Sequence, residues 1–216
     1  MSFFSSLLDL LFPPKCVFCG KILARGVEDW CDNCTETLPY TLDGGVQEGE
    51  YFDFCISPLY YKGVVRKSIQ RFKFGGASAY ADAYGKLLAD CIREHPGIGY
   101  DLISWVPLSS KRKRSRGYDQ AMLLALATAL ELNDVAAETL KKPKDVRAQS
   151  ELSDRAERSA NISGAYEVAD QELIEGKCIL LVDDIVTTGS TLSECARVLM
   201  LSGASRVVCA ALARGE

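Results

Sequence analysis

The sequence predicts an α/β fold, a parallel sheet flanked by helices on both faces, with a small four-cysteine module at the N-terminal end. Two patterns lead to this expectation. Short continuous apolar stretches alternate with stretches whose apolar residues recur every three or four positions, as buried strands and amphipathic helices do. Four of the nine cysteines form two CxxC pairs near the start of the chain. The 216 residues are enough for one such domain and a small appendage.

The predicted strands and helices alternate along the chain. Strands are expected at 54–61, 101–106, 178–182 and 206–212, and helices at 64–74, 79–94, 120–132 and around 192–199, the last ending at Gly203. The stretch 41–50, "TLDGGVQEGE", is polar and contains glycines, so it is predicted to be a linker. The expected domains are therefore an N-terminal helix with the cysteine module, 1–50, and a main domain, 51–216.

Composition excludes several classes of protein. The net charge is −4, so an anionic partner must be held by local patches of positive charge. Nine scattered cysteines do not make a disulfide framework and suit a reducing cytosol. The apolar start, "MSFFSSLLDLLFPP", is interrupted by Asp9 and too short to span a bilayer. It is either a helix packed on the protein or one that faces a membrane or partner. The single histidine, His95, is expected at the surface, which excludes His-dependent triads.

The stretch "CILLVDDIVTTGSTL", 178–192, carries the strongest functional signal. Asp183 and Asp184 follow a buried strand, and Thr187, Thr188, Gly189, Ser190 and Thr191 fill the turn into the next helix. In open α/β sheets, ligands bind at the carboxyl ends of strands. A helix N-terminus there favours phosphate, and a glycine lets the backbone approach it. The two carboxylates can accept hydrogen bonds from hydroxyls or hold Mg²⁺. A phosphate beside a diol is a ribose 5-phosphate.

Two other interpretations of this stretch are open. The apolar strand ending in two aspartates could be a Walker B strand, but the chain has no GxxxxGK[ST] motif. The threonines and serine could be a simple helix cap. An isolated cap is common, whereas an aspartate pair followed at once by TTGST is not, and phosphate binding is the favoured interpretation.

The four N-terminal cysteines have the spacing of a zinc site. Cys16, Cys19, Cys31 and Cys34 form CxxC-x11-CxxC, which offers four thiolates to one tetrahedral Zn²⁺. Four thiolates close the site, so the zinc is expected to be structural; redox-active thiols are the competing interpretation. The other five cysteines lie in apolar contexts and are expected in the core: Cys55, Cys91, Cys178, Cys195 and Cys209.

Two polar segments remain open to more than one interpretation. The basic run of "WVPLSSKRKRSRGYDQ", 105–120, is expected as a loop that contacts nucleic acid, contacts ligand phosphates, or is only solvated; it comprises Lys111, Arg112, Lys113, Arg114 and Arg116. The long polar segment 141–166 is expected either as a lid or as a solvated helix-turn segment.

The motif "VDDIVTTGST" resembles the phosphoribosyl diphosphate (PRPP) signature of type I phosphoribosyltransferases. The resemblance implies that Asp183 and Asp184 contact the ribose hydroxyls and that residues 187–191 hold the 5-phosphate. It also implies that Val106, Pro107 and Leu108 hold the diphosphate, and that a flexible loop near 141–166 closes over PRPP. Within that loop, the spacing of Gln149, Leu152, Arg155 and Asn161 resembles one subfamily.

The whole order of motifs resembles the ComF-like competence proteins, which join a four-cysteine zinc module to a phosphoribosyltransferase domain. The resemblance rests on "PPKCVFCG", "CDNC", "IQRFKFGG", "VPLSSKRKRSRGYDQ" and "LLVDDIVTTGSTL". It implies a cytoplasmic protein, with a place at the inner membrane face, acting in natural transformation. The implied ligands are structural Zn²⁺, PRPP with Mg²⁺, and single-stranded DNA, and the implied protein partners are other DNA-uptake proteins.

Three functions stay open on the sequence. The first is a DNA-uptake protein that keeps a PRPP site. The second is a working phosphoribosyltransferase, in which a nitrogen nucleophile attacks C1 of PRPP and diphosphate leaves. The third is a nucleic-acid-binding module, which leaves the aspartate pair and TTGST loop unexplained. No base-sized hood is recognisable in the sequence, which favours binding or an unusual acceptor.

Overall fold

The computed structural model describes residues 13–143 and 164–216. The expectations for the N-terminal apolar helix and for Gln149, Leu152, Arg155 and Asn161 fall outside these ranges. The helices are α1 (Asp32–Thr37), α2 (Gly63–Phe74), α3 (Tyr80–Glu94), α4 (Ser110–Arg116), α5 (Gln120–Glu131) and α6 (Ser190–Leu201). The strands are β1 (Cys55–Ile56), β2 (Leu59–Tyr60), β3 (Leu102–Trp105), β4 (Leu140–Lys141), β5 (Glu167–Val168), β6 (Cys178–Val186) and β7 (Arg206–Arg214).

The main sheet is parallel, as the apolar strands predicted. Its order is β1–β7–β6–β3, and β2 continues beside β7. On one face of the sheet, α5 packs on β6 and α3 packs on β7, in a cluster that includes Leu180 and Val182; on the other face, α6 packs in a cluster with Ile179 and Leu181. The predicted strand 54–61 is interrupted around Pro58, which has no N–H to give to the ladder. Its register with β7 nevertheless continues on both sides of the break.

The strand that carries the aspartates is longer than predicted. The apolar pattern predicts an end at residue 182, but β6 continues through Asp183 and Asp184 to Val186. The reason is that β7 also continues, so that Val186 still pairs with Arg214. Both carboxylates are therefore held by the sheet itself, at its carboxyl edge, and the helix α6 begins only at Ser190.

The linker predicted at 41–50 is instead a packed segment, so that prediction is wrong. Gln47 and Cys55 exchange two backbone hydrogen bonds of 2.9 and 2.7 Å. A Cβ on Gly45 would lie only 2.7 Å from the carbonyl oxygen of Ser57. Glycine at position 45 therefore allows the backbone of this segment to pack closely against residue 57, next to the edge strand β1. The segment also reaches the far end of β6, where the Gln47 amide donates to the carbonyl of Thr187 at 3.3 Å.

The basic run, expected as a loop, forms the short helix α4. Ser109 caps its start by accepting a hydrogen bond from the Arg112 N–H at 3.4 Å. Gly117 ends it in a left-handed conformation with φ 84°, as glycine commonly does after a helix. The charged residues show no apolar periodicity, but the serine before them and the glycine after them are a signal for a helix.

The cysteine module packs against α2 and α3. Phe18 is buried, with its ring centroid 5.9 Å from that of Tyr84 on α3. On α2, the Arg71 guanidinium donates to the carbonyl oxygens of Val17 and Phe18 at 2.9 and 2.7 Å. The module therefore shares the core of the main domain. None of the helices in the described ranges has the length and apolar character that a membrane span requires.

Candidate functional site

A cleft of about 160 Å³ opens where the carboxyl ends of β3 and β6 meet. It brings together all three groups that the sequence predicted around a ribose phosphate: the loop after β3, the aspartate pair, and the start of α6. Its lining comprises Lys73, Val106, Pro107, Leu108, Arg112, Arg116, Gln120, Ala121, Lys142, Tyr166, Asp183, Asp184, Ile185 and Thr191.

The turn into α6 has the form of a phosphate-binding loop. Gly189 precedes the helix with φ 76°, in the left-handed region that a side chain disfavours. The hydroxyls of Thr188 and Ser190 share a hydrogen bond of 2.8 Å. A smaller cavity here is lined by all five predicted residues, 187–191, together with Asp183. The N–H groups of the first turn of α6 therefore border a hollow at the positive end of the helix dipole.

The two carboxylates lie in different environments. Asp184 pairs with Lys73 of α2, with 2.8 Å between Oδ1 and Nζ, and both side chains are largely buried. Asp183 accepts a hydrogen bond from the Asp184 N–H at 2.7 Å. Burial and the neighbouring Asp184 charge raise the pKa of Asp183 to about 8, although Lys73 opposes the shift. The cleft therefore holds one ion-paired carboxylate and one carboxyl whose surroundings favour its protonated form.

Four cationic side chains line the same cleft: Lys73, Arg112, Arg116 and Lys142. Two of them come from the basic helix, where Arg112 and Arg116 are four residues apart and so share one face. The other three cations of α4, Lys111, Lys113 and Arg114, are exposed. The structure thus divides the predicted basic run into a pair that lines the cleft and an exposed trio, of which Lys113 also borders a second cavity beside Asp119.

A buried carboxylate fixes the loop after β3. Asp119 is 3% exposed. It accepts hydrogen bonds from the N–H of Leu108 at 2.8 Å and from the N–H of Met122 at 3.3 Å. The second bond caps α5, so the helix and the predicted diphosphate loop are tied through one side chain. Burial raises the pKa of Asp119, whereas the two N–H donors lower it.

Several lining residues were not predicted from the sequence. Lys73 lies in "IQRFKFGG", a stretch that carries the family resemblance but gives this lysine no role of its own. Lys142 and Tyr166 come from the ends of the β4–β5 pair, where the lysine ammonium donates to the Tyr166 hydroxyl at 2.8 Å. Both lie at the ends of the segment 141–166, which was expected to be a lid or a solvated helix-turn segment, but neither residue had a predicted role of its own. Gln120 accepts from Arg116 at 2.7 Å.

The four predicted zinc ligands converge. The Sγ atoms of Cys16, Cys19, Cys31 and Cys34 all lie within 4.8 Å of one another. The Cys16–Cys34 and Cys19–Cys31 sulfur distances are 3.6 and 3.8 Å. Zinc–sulfur bonds of about 2.3 Å at tetrahedral angles place sulfurs about 3.8 Å apart. Backbone N–H groups lower the pKa of Cys16 to about 6 against the effect of burial, whereas burial raises the pKa of Cys19 and of Cys34; the sulfur geometry, and not these shifts, is what fits a metal. The donor set fits one structural zinc.

Comparison with known proteins agrees with both parts of the fold. Residues 108–216 match the phosphoribosyl transferase domain, and residues 7–44 match the double zinc ribbon domain. The chain is 32% identical over 208 residues to Competence protein F of Haemophilus influenzae, covering 93% of this chain and 85% of that protein. The chain belongs to the ComF family.

Two further relatives match about two thirds of this ComF-family chain. The DNA utilization protein YhgH of Salmonella typhi is 34% identical over 145 residues, which are 64% of this chain and 62% of that protein. Competence protein ComFC of Bacillus subtilis is 28% identical over 148 residues, 66% of this chain and 56% of that protein. The matched regions span less than two thirds of the length of these two relatives.

The raised pKa of Asp183 predicts a stability change in the ComF-family chain. A carboxyl whose pKa rises from 3.8 to about 8 on folding stabilises the fold when protonated. That stability is present below pH 4 and is lost as the pH rises through 8. Asp183→Asn removes the cost of burying an ionised carboxylate and is therefore expected to raise the unfolding temperature at pH 8. The rise should be about 2–4 °C for each kcal/mol by which the free energy of unfolding increases. The gain should shrink toward pH 5.

Thermal unfolding at both pH values checks this, with Asp170→Asn, an exposed aspartate, as control. Equal unfolding temperatures of wild type and Asp183→Asn at pH 8 would contradict it.

Proposed function

We propose that this chain binds PRPP in the cleft between β3 and β6 and acts in the handling of single-stranded DNA during competence. The observation that carries the PRPP site is the meeting of two cavities that share Asp183, Ile185 and Thr191: one is lined by the turn into α6, and the other by the carboxylate pair and four cations. The names of the relatives, competence protein and DNA utilization protein, support the role in DNA handling. The expected place of action is the cytoplasm, at the inner membrane face.

Each part of the cleft suits one part of PRPP. Residues 187–191, at the start of α6, would hold the 5-phosphate through backbone N–H groups and hydroxyls. Asp183 and Asp184 would accept hydrogen bonds from the ribose hydroxyls. The loop 106–108, with Arg112, Arg116 and Lys142, would hold the diphosphate. Mg²⁺ bound with the ligand would neutralise diphosphate charge, and the carboxylate oxygens and diphosphate are the ligands it prefers.

Lys73 makes the carboxylates compatible with an anionic ligand. Two unpaired carboxylates would repel a diphosphate that lies beside them. The Lys73 ammonium pairs with Asp184, the surroundings of Asp183 raise its pKa and so favour its uncharged form, and four cations line the cleft. The net charge around the ligand is therefore positive, although the whole chain carries −4. A protein with a negative net charge can bind an anion only at a surface patch where positive charge prevails, as it does here.

The division of α4 gives a test that separates the two ligands. Arg112→Ala removes a cation from the cleft and should weaken PRPP binding, because a charge-assisted hydrogen bond contributes about 1.5–3 kcal/mol, or roughly ten- to a hundredfold. The double variant Lys113→Ala/Arg114→Ala should instead weaken single-stranded DNA binding. Its log–log salt slope should flatten by about 0.7 for each DNA phosphate that the variant no longer neutralises.

Calorimetry with PRPP and Mg²⁺, beside DNA titrations at several salt concentrations, checks both expectations. Each variant serves as the control for the other, since both remove positive charge from the same helix. If the outward-facing double variant keeps both its DNA affinity and its salt slope, the trio is only a solvated surface. If Arg112→Ala keeps PRPP affinity, the cleft-facing arginine does not hold the diphosphate.

A second candidate function is transfer of ribose 5-phosphate to a nitrogen acceptor. The observation that favours it is a titratable carboxyl, Asp183, with a pKa raised to about 8, inside the cleft. The acceptor nitrogen would form a bond to C1 as the bond from C1 to diphosphate breaks, and its proton would pass to Asp183 in the molecules in which this carboxyl is ionised, a fraction that grows as the pH rises toward 8. Release of diphosphate from PRPP and Mg²⁺ that depends on one nucleobase, or on single-stranded DNA, would establish this activity. No release with any acceptor would leave binding as the function.

A further inference from the structure

An exposed aromatic side chain lies at the mouth of the cleft. Phe74 is the last residue of α2, directly after the cleft residue Lys73, and 72% of it is exposed. The guanidinium carbon of Arg116, another cleft residue, lies 4.9 Å from the centroid of the Phe74 ring. A Cβ built on Gly76, two residues further along the chain, would have nothing within 4 Å, so the turn after α2 is open. Phe74 is therefore an accessible ring paired with a guanidinium.

The helix that supplies Arg116 to this ring is strongly basic. Arg116 belongs to α4, the helix that presents Lys111, Lys113 and Arg114 to solvent. An aromatic ring beside a row of cations is the arrangement that single-stranded nucleic acids use: bases stack on the ring and phosphates contact the cations. A free nucleobase could stack on the ring, but it has no phosphate that could contact the cations. A single ring also offers no groove for the apolar face of a protein helix.

We propose that Phe74 and Arg116 form a platform on which one base of single-stranded DNA stacks at the mouth of the cleft. This inference rests on the DNA-handling part of the proposed function and adds where and how the strand is held. The platform joins the two sites, because Arg116 also lines the PRPP cleft. A base stacked on Phe74 lies at the entrance to the cleft, while the adjoining backbone follows the outward cations of α4.

Replacement of Phe74 by leucine tests the stacking surface and keeps an apolar side chain. Stacking of one base on an aromatic ring is removed, so single-stranded DNA affinity should fall roughly five- to a hundredfold at fixed salt. The salt slope should stay unchanged, since the same DNA phosphates remain neutralised. The control is Leu130→Ala on α5, which alters a side chain 76% exposed elsewhere on the surface and should change affinity less than about twofold.

A tryptophan at the same position reports stacking directly. In Phe74→Trp, oligothymidylate should quench the added emission, measured against the wild type with its two tryptophans. Free thymidine at the same nucleotide concentration should not quench it. Quenching by thymidine alone, or DNA affinity of Phe74→Leu equal to that of wild type, would overturn the platform.

The two proposals fail in different ways. If wild type binds PRPP and DNA but Phe74→Leu binds DNA equally well, the platform is wrong and the proposed function stands. If wild type binds no single-stranded DNA, the platform and the DNA-handling role fail together, and PRPP binding is judged separately by calorimetry. Phe74→Leu should lower PRPP affinity much less than DNA affinity, because Phe74 does not itself line the cleft and every cleft residue is kept.

Discussion

Gly189→Val is expected to abolish PRPP binding while leaving single-stranded DNA binding intact. Gly189 has φ 76°, and a Cβ there would lie 3.3 Å from the Gln47 amide nitrogen and 3.5 Å from the Phe52 ring. A β-branched residue is a strong outlier in this region, so the turn would have to change. Such strain is about 1–3 kcal/mol. Each hydrogen bond to a charged phosphate that the altered turn cannot make adds about 1.5–3 kcal/mol. A loss of PRPP affinity of at least about a hundredfold follows.

A second glycine of the same helix supplies the matched control for this variant. Gly203 follows α6 at its other end with φ 107°, and its Cβ would meet only Glu175, at 3.6 Å or more. Gly203→Val strains the backbone in the same way but lies away from the phosphate loop. Its unfolding temperature should fall, yet its PRPP affinity should match that of wild type. Calorimetry that finds Gly189→Val binding PRPP as tightly as Gly203→Val would refute the role given to the loop.

Removal of the zinc site is expected to unfold the cysteine module and to weaken the main domain through α2. Binding of a structural zinc contributes about 10–16 kcal/mol in isolated zinc modules. Without it, the backbone carbonyls of Val17 and Phe18 lose their fixed positions against Arg71, and Phe18 loses its packing on Tyr84. Cys16→Ser should therefore speed amide exchange most in residues 13–38, next in α2 and α3, and least in β6 and β7.

Metal content and hydrogen exchange together check this expectation. Freshly purified wild type should hold one zinc per chain, and Cys16→Ser well below one. Cys178→Ser makes the same chemical change outside the four-cysteine cluster, where the thiol donates to the carbonyl of Gly99 at 3.1 Å. It should keep the zinc and the exchange pattern of wild type. Zinc well below one per chain in wild type would contradict the site.

The secondary structure could be predicted where apolar side chains repeat. Ile69 and Phe72 on α2, and Leu192 and Leu199 on α6, are buried as their spacing predicted. The apolar spacing did not predict secondary structure in segments made mostly of polar residues. The basic helix α4 has no buried residue, and its existence depends on the caps at Ser109 and Gly117. The segment 41–50 is polar as a linker would be, but its backbone pairs with the edge strand.

In the candidate site, too, some residues could be predicted from the sequence and others could not. The aspartate pair and residues 187–191 could be predicted, because contiguous residues at a strand end and a helix start determine their geometry. The cations could not be assigned, since Lys73 and Lys142 reach the cleft from α2 and the β4–β5 pair. Arg112 and Arg116 could be separated from their basic neighbours only once the helical spacing was known. Interactions between distant segments depend on tertiary packing, which no local pattern encodes.

Calorimetric titration of the full chain with PRPP and Mg²⁺ tests the central proposal most directly. Ribose 5-phosphate and inorganic diphosphate, titrated separately, serve as half-ligands, because each can use only one side of the cleft. Asp184→Asn removes the partner of Lys73 and an acceptor for the ribose hydroxyls. We expect one PRPP site per chain, weaker binding of either half-ligand, and roughly ten- to a hundredfold lower PRPP affinity in Asp184→Asn. Absence of saturable PRPP binding to wild type, or equal affinity in Asp184→Asn, would contradict the site described for this cleft.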